Sequence, residues 1–307
     1  MVTPRVRLPT LHPSSFVLLA VWAVAVLRPD ALVHTISGPF LGWPAVDWTV
    51  YEGAAAVGWE PELYSELTGV SACDACYYRY SPAAVPLFAL LAPMGETAWR
   101  LLHVLALPLL GWQLAITVAL SWPFWADVAS GNLLTFVLIA SVAAIRGNRL
   151  GIGAVFVLAL LMPRPVILPL VAWLLWNRPE WRRPFVGLFA IHALVVLLSG
   201  VGANWIEALL AEAMETEVFN VAPSFWFGGW WLLIGIPLAV WLWFKDHPGA
   251  AGLAMSPYLM PYYLLFAFTW VPETSSREGR NKPEGANAPG LLYRRFRVGR
   301  RPVEVQS

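Results

Sequence analysis

One stretch of this chain gathers a carboxylate, an arginine and several tyrosines. Asp47 and Tyr51 fall in the run Ala45-Val46-Asp47-Trp48-Thr49-Val50-Tyr51-Glu52-Gly53-Ala54-Ala55-Ala56. Glu60-Pro61-Glu62-Leu63-Tyr64 follows, and later Tyr77-Tyr78-Arg79-Tyr80-Ser81-Pro82. A positioned carboxylate can take the proton of an attacking hydroxyl. A nearby arginine or lysine can hold a phosphate through charge-assisted hydrogen bonds. Together these are the parts needed to move a sugar from a lipid phosphate to an acceptor alcohol. Plainer roles compete with that one. Asp47 could cap a helix starting at Trp48. Tyr51 and Tyr80 could be interfacial aromatics, and Arg79 an anchor for the apolar run after it.

Two more candidates lie farther along. Asn132 follows Gly131 at the start of an apolar run, where its amide either meets substrate or cross-links helices. Arg164 stands between Pro163 and Pro165. Other polar groups point to less. Cys73 and Cys76 form a Cys-Asp-Ala-Cys run with no second pair, and His12, His34, His103, His192 and His247 show no ligand spacing. A local disulfide or two free thiols is therefore expected, with no metal. No Gly-rich phosphate loop is present, in agreement with a reaction that needs no nucleotide site or cofactor. Glu207, Glu212, Glu215 and Glu217 read as a solvated helix face.

The elements that must position these groups are apolar helices. Of 307 residues, 58% are hydrophobic and only 13% charged, against about a quarter charged in soluble domains. The apolar residues come in blocks suited to a bilayer. Trp122, Trp125, Trp173, Trp176, Trp226 and Trp243 sit at block edges, as an aromatic belt requires. A net charge of +1 offers nucleic acid no electrostatic footprint. The spans expected are Ser14 to Leu27, Pro82 to Met94, Trp99 to Leu120, Gly131 to Ile145, Phe185 to Val201, Phe225 to Phe244 and Leu253 to Val271. Ala23-Val24-Ala25 resembles a signal-peptide cleavage site but lies inside the first run, so that run is expected to remain as a span. The fold class is thus all-α, a polytopic transmembrane bundle over residues 1–271 with a long first extracytoplasmic loop at 28–80. Residues 272–307, with eight Lys or Arg and four Glu, have the composition of a disordered tail.

Charge placement orients the bundle. Arg5 and Arg7, Arg146 and Arg149, and Arg178, Arg182 and Arg183 mark three cytoplasmic stretches by the positive-inside rule. The loops 28–80 and 203–224 are poor in bases and lie outside. Arg149 and Arg178 then share one side, so the apolar runs Leu150 to Met162 and Val166 to Trp176 must form a hairpin that enters and returns. Its tip is Pro163-Arg164-Pro165. A charge at such a tip points to function, because it is costly there. The competing picture is two tilted spans with Arg164 reaching the far surface. No repeat of fixed period is visible, which counts against a secondary transporter.

In order and spacing, several motifs resemble the polytopic GT-C glycosyltransferases, specifically the bacterial alpha-mannosyltransferases of glycosyltransferase family 87. Asp47-x-x-x-Tyr51 with its Ala run resembles the family's first-loop Asp motif, and Pro61-Glu62-Leu63-Tyr64 its P-x-L-Y step. Tyr78-Arg79-Tyr80-Ser81-Pro82 and Pro86-Leu87-Phe88-Ala89-Leu90-Leu91-Ala92-Pro93 resemble the entry to its second span. Gly131-Asn132 stands where Gly-Gln is usual, and Arg164-Pro165 where a Lys near a Pro is common. Ser256-Pro257-Tyr258 with Pro261-Tyr262-Tyr263 resembles a late segment, without its His pair. The resemblance covers most of residues 14–265 and implies a chain longer at its C-terminus.

It implies a hexosyltransferase at the plasma membrane, multi-pass, with its active site facing outside. The donor would be a polyprenyl-phosphate sugar, typically mannose, and the acceptor a lipid or glycan hydroxyl. Asp47 would be the general base, and transfer would invert the anomeric centre. Arg79 or Arg164 would stabilise the departing phosphate, with Tyr51, Tyr80 and Asn132 completing the substrate site. The competing functions are a transporter or flippase of a lipid-linked molecule, which needs Arg164 but not Asp47, and a truncated non-catalytic paralogue.

Overall fold

The computed structural model describes residues 13–33, 45–64, 78–212, 220–257 and 259–269. Cys73, Cys76, Tyr258 and the tail lie outside them. Among the described residues the fold is all-helical. The helices are α1 (Pro13–Leu27), α2 (Val46–Val57), α3 (Val85–Leu91), α4 (Glu96–Ala106), α5 (Trp112–Ala119), α6 (Trp122–Ser130) and α7 (Leu134–Ile145). After them come α8 (Arg149–Leu161), α9 (Leu168–Asn177), α10 (Arg182–Leu198), α11 (Gly202–Glu212), α12 (Ser224–Phe227), α13 (Leu232–Phe244) and α14 (Pro248–Met255).

The centre is α7. Its sequence, LTFVLIASVAAI, is apolar all round, and Leu134, Val137, Leu138, Val142 and Ala144 are buried. A helix with no polar face must be covered on every side. Here α8 and the 3₁₀ segment Pro261–Thr269 pack against it. Asn148 starts α8 by accepting a hydrogen bond from the Gly151 amide at 3.0 Å, a side-chain N-cap.

Several expected spans take a different form. The run from Trp99 to Leu120 is broken into α4, a 3₁₀ turn at Leu107–Leu110 and α5. Pro108 lacks the N–H that an uninterrupted helix needs, and Gly111 continues the chain at φ 86°. The final expected span, Leu253 to Val271, is also divided. Its first part ends α14 at Met255, and Pro261–Thr269 is a buried 3₁₀ segment of the core. Trp122 is a core residue, not a belt residue. It is fully buried and donates its indole N–H to the Val21 carbonyl at 2.8 Å, joining α6 to α1.

Two helices are long and apolar enough to cross a membrane, Pro179–Leu198 and Ser224–Phe244. No residue of α10 is buried, and its exposed side chains include Val186 at 65% and Leu197 at 76%. The hairpin of α8 and α9 has the expected connectivity. Its arms have 13 and 10 residues, about 20 and 15 Å of helix, each short of a hydrocarbon core of about 30 Å. The Arg178 guanidinium lies beside Gly147, 3.1 Å from where a β-carbon there would stand. Both ends of the hairpin are therefore together, and Arg164 is at the opposite end.

One contact fixes the turn of that hairpin. A β-carbon on Gly252 of α14 would overlap the Val166 carbonyl oxygen, a backbone atom that cannot rotate away. Gly252→Ala is expected to destabilise by ~1–3 kcal/mol, the usual cost of overpacking. Gly153, in the middle of α8, has open space around it. Gly153→Ala is expected to stabilise by ~0.5–1 kcal/mol through helix propensity. Thermal melts of the two variants in one detergent should shift in opposite directions.

Candidate active site

Asp47 lies in the first turn of α2, with Ala45 as N-cap and no side-chain capping bond. The helix begins two residues earlier than a cap at Asp47 would require, so Asp47 does not serve as its cap. It is half-buried. The side chains of Asn132 and Ser130 hydrogen-bond to it, and Arg164 and Asp127 act on it through their charges. Burial pushes this carboxyl from the ordinary aspartate value of 3.8 up to about 6. Asp127 adds to the rise, and Asn132, Ser130 and Arg164 oppose it.

The tyrosines form the wall beside it. Tyr51, one helical turn on from Asp47, is stacked flat on Phe88 with ring centroids 4.2 Å apart. Its hydroxyl is 2.8 Å from that of Tyr80. Both rings are buried inside the protein, at 1% and 4% exposure, which excludes the interfacial-belt role. Burial pushes both hydroxyls well up from their ordinary value, so they act as neutral donors and acceptors. The Asn132 amide reaches the Tyr80 hydroxyl at 3.5 Å, and the Arg164 guanidinium sits 5.8 Å from the centroid of the Tyr80 ring. Tyr262 and Tyr263 stand within electrostatic range of Tyr51 and Tyr80 respectively.

Backbone contacts explain how residues so distant in sequence meet. The Ser81 amide donates to the Leu161 carbonyl at 3.0 Å, joining the Tyr80 segment to the end of α8 just before Arg164. Trp48 stacks on Trp99 at 5.3 Å, and the Trp99 indole donates to the Gly131 carbonyl at 2.7 Å. These contacts clamp α2 against the Gly131–Asn132 turn. The structure thus brings together Asp47, Tyr51, Tyr80, Asn132 and Arg164. Arg79 is half-buried next to Tyr80 in the chain. Of the two arginines considered for the phosphate, Arg164 acts on the carboxylate through its charge.

The sequence reading missed a second layer. Asp127 of α6 is fully buried and accepts from the Thr135 hydroxyl at 2.6 Å, the Thr135 amide at 2.7 Å and the Leu134 amide at 3.2 Å. His103 lies 3.7 Å from it. The available signal was an acid four residues before Gly131 in an apolar stretch, the kind of placement that marks function or a partnered charge. Among the described residues, no three His, Cys, Asp or Glu side chains gather closely enough to hold a metal ion.

An apolar groove of about 470 Å³ runs between α10 and α11, lined by Phe189, Val196, Leu197, Trp205 and Ile206. Its polar point is His192, whose Nε2 is 2.7 Å from the Ser81 hydroxyl. Ser81 follows Tyr80 directly, so the groove lies beside the cluster. A scan against protein-family models gave no match, and searches of curated proteins and of solved structures gave none either.

Proposed function

We propose that this chain is a multi-pass membrane glycosyltransferase that moves a sugar, mannose by resemblance, from a polyprenyl phosphate to a lipid or glycan hydroxyl. The observation that carries the reading is the grouping of Asp47 with Arg164, Asn132 and the Tyr51–Tyr80 hydroxyl pair. A base whose acidity lies near neutrality suits proton transfer from an alcohol, and Asp47 at about 6 has that property. A guanidinium nearby, that of Arg164, suits a leaving phosphate, because it stabilises charge that develops during the reaction. The acceptor oxygen bonds to the anomeric carbon and its proton passes to Asp47. The bond from that carbon to the phosphate oxygen breaks, and the lipid phosphate leaves as an anion facing Arg164. Attack opposite the leaving group inverts the centre.

A membrane location is supported by the two long apolar helices, Pro179–Leu198 and Ser224–Phe244, and by the outward apolar faces of α10 and α13. Such continuous apolar surface is not sustained in water. With Arg146, Arg149 and Arg178 inside, the site faces the outer side, and the groove by Ser81 suits a hydrocarbon chain. The groove also suits a flippase of a lipid-linked molecule, which needs no base.

The test is transfer of label from radioactive polyprenyl-phosphate-mannose in membranes that contain the chain. The expected result is a labelled product whose anomeric configuration is opposite to the donor's. No transfer above control membranes, from well-expressed protein, sinks the reading. Movement of the labelled lipid across liposome bilayers without transfer installs the flippase instead.

A further inference from the structure

His103 of α4 is fully buried beneath the site, between the rings of Trp99 at 5.1 Å and Phe136 at 4.7 Å. Its Nδ1 is 2.9 Å from the Trp99 carbonyl oxygen, and its Nε2 is 2.6 Å from the Asn132 carbonyl oxygen. Carbonyl oxygens only accept hydrogen bonds. A neutral imidazole has one N–H and one bare lone pair, so in either tautomer one nitrogen would turn its lone pair toward an oxygen. Deep in the protein that pairing is repulsive and leaves a polar atom unsatisfied. A ring with both N–H groups satisfies both carbonyls. The charged group facing it is Asp127, 3.7 Å from Nε2, and the other faces are the Trp99 and Phe136 rings and the Asn132 backbone.

We propose that His103 is held as an imidazolium that donates from both ring nitrogens, with Asp127 as its counter-ion, and that it is the positioning residue for Asn132. The bond to the Asn132 carbonyl fixes the backbone from which the Asn132 side chain reaches Asp47 and Tyr80. Thr135 and Leu134 hold Asp127 in place by three hydrogen bonds, so the counter-ion is anchored to α7. The α6–α7 turn is thereby tied to α4 through one ion pair and one charge-assisted hydrogen bond. The positioning role rests on the proposed transfer reaction; the charge state of the ring does not.

The first measurement is nitrogen NMR of the full chain labelled with ¹⁵N-histidine, in nanodiscs at neutral pH. The His103 signals are assigned as those lost in His103→Gln. Two ring resonances close together mark an imidazolium and are expected; a wide split marks a neutral ring and overturns the proposal, whether or not the protein transfers sugar. Asp127→Asn, checked for folding by its melting curve, is expected to convert the close pair to a split one. A ring that stays doubly protonated without Asp127 overturns that residue's role as counter-ion.

Positioning is tested by a cycle of His103→Gln, Asn132→Ala and the double variant. The expected result is kcat lowered about 10–100-fold by each with KM unchanged, and the double variant no worse than Asn132→Ala alone, as coupled residues behave. Additive losses overturn it. Where wild-type transfer is absent, the Asn132 side-chain amide resonances in His103→Gln decide the point instead. Displaced resonances support positioning, and unmoved ones overturn it.

Discussion

Asp47→Asn is expected to abolish sugar transfer and to make the protein more stable. As a general base, Asp47 contributes on the order of 10²–10⁴-fold in rate. The amide keeps the size of the side chain but cannot accept the acceptor's proton. The effect should fall on kcat, with donor binding largely kept, because Arg164 and the tyrosines remain. The stability gain comes from the same burial that suits Asp47 to its role. The folded chain holds the Asp47 proton more tightly than the unfolded chain, with the carboxyl at about 6 against 3.8. Above about 6 the fold therefore carries the full cost of a partly desolvated carboxylate, on the order of 2–3 kcal/mol. That cost shrinks as pH falls from about 6 and is gone below the unfolded value. The neutral amide never incurs it. Melting temperatures of wild type and variant should thus differ at neutral pH and converge in acid. Wild-type transfer should fall as pH drops through about 6, since only the carboxylate accepts a proton. A variant that is less stable at neutral pH, or that still transfers, removes Asp47 from the role of buried base.

The sequence made this site legible to the extent that its parts were unusual for their surroundings. Asp47 and Tyr51 stood out as polar groups beside apolar helices, and Arg164 as a charge between two prolines. The arginines at 146 and 149 and at 178, 182 and 183 require a hairpin that returns. The structure has that connectivity, with Arg178 beside Gly147. What the sequence could not resolve was burial inside a polytopic chain. When every helix is apolar, periodicity no longer separates a face that meets lipid from one that meets protein. Trp122 and Trp125 look alike in sequence, yet one is fully buried and the other is 46% exposed. Pro261–Thr269 reads as part of a span and is instead a core segment. Asp127 and His103 were missed for a related reason. Each is ordinary alone, and their pairing links two helices 24 residues apart. Arg79 and Arg164 were equal candidates in sequence, and Arg164 reaches the site through the hydrogen bond that ties the Tyr80 segment to the end of α8.

The position on which the site's geometry most depends is not one of its polar residues. Gly131 ends α6 in the left-handed region, at φ 72°, and starts the turn that presents Asn132. A β-carbon there would stand 2.9 Å from Trp48 Cβ and 3.0 Å from Ala45 Cβ. One contact is to α2 and the other to its N-cap, on either side of Asp47 in sequence. Gly131→Ala therefore meets two separate costs. An L-residue in the left-handed region costs roughly 1–2 kcal/mol, and forcing a methyl into a packed site costs about 1–3 kcal/mol more. A loss of roughly 2–5 kcal/mol is expected from these together, large against a typical net stability of about 5–15 kcal/mol. If the chain still folds, α2 must shift away from the turn, since neither contact is the far end of a flexible side chain. The shift separates Asp47 from Asn132, and misplacement on the order of 1 Å can lower a rate about 100-fold. Gly131→Asn separates the two costs, because asparagine tolerates the left-handed backbone yet still carries a β-carbon. It should lose about as much transfer as Gly131→Ala while losing less stability. Equal transfer by Gly131→Ala and wild type, in protein that melts at a lower temperature, would show that the turn supports the fold without setting the Asp47–Asn132 geometry.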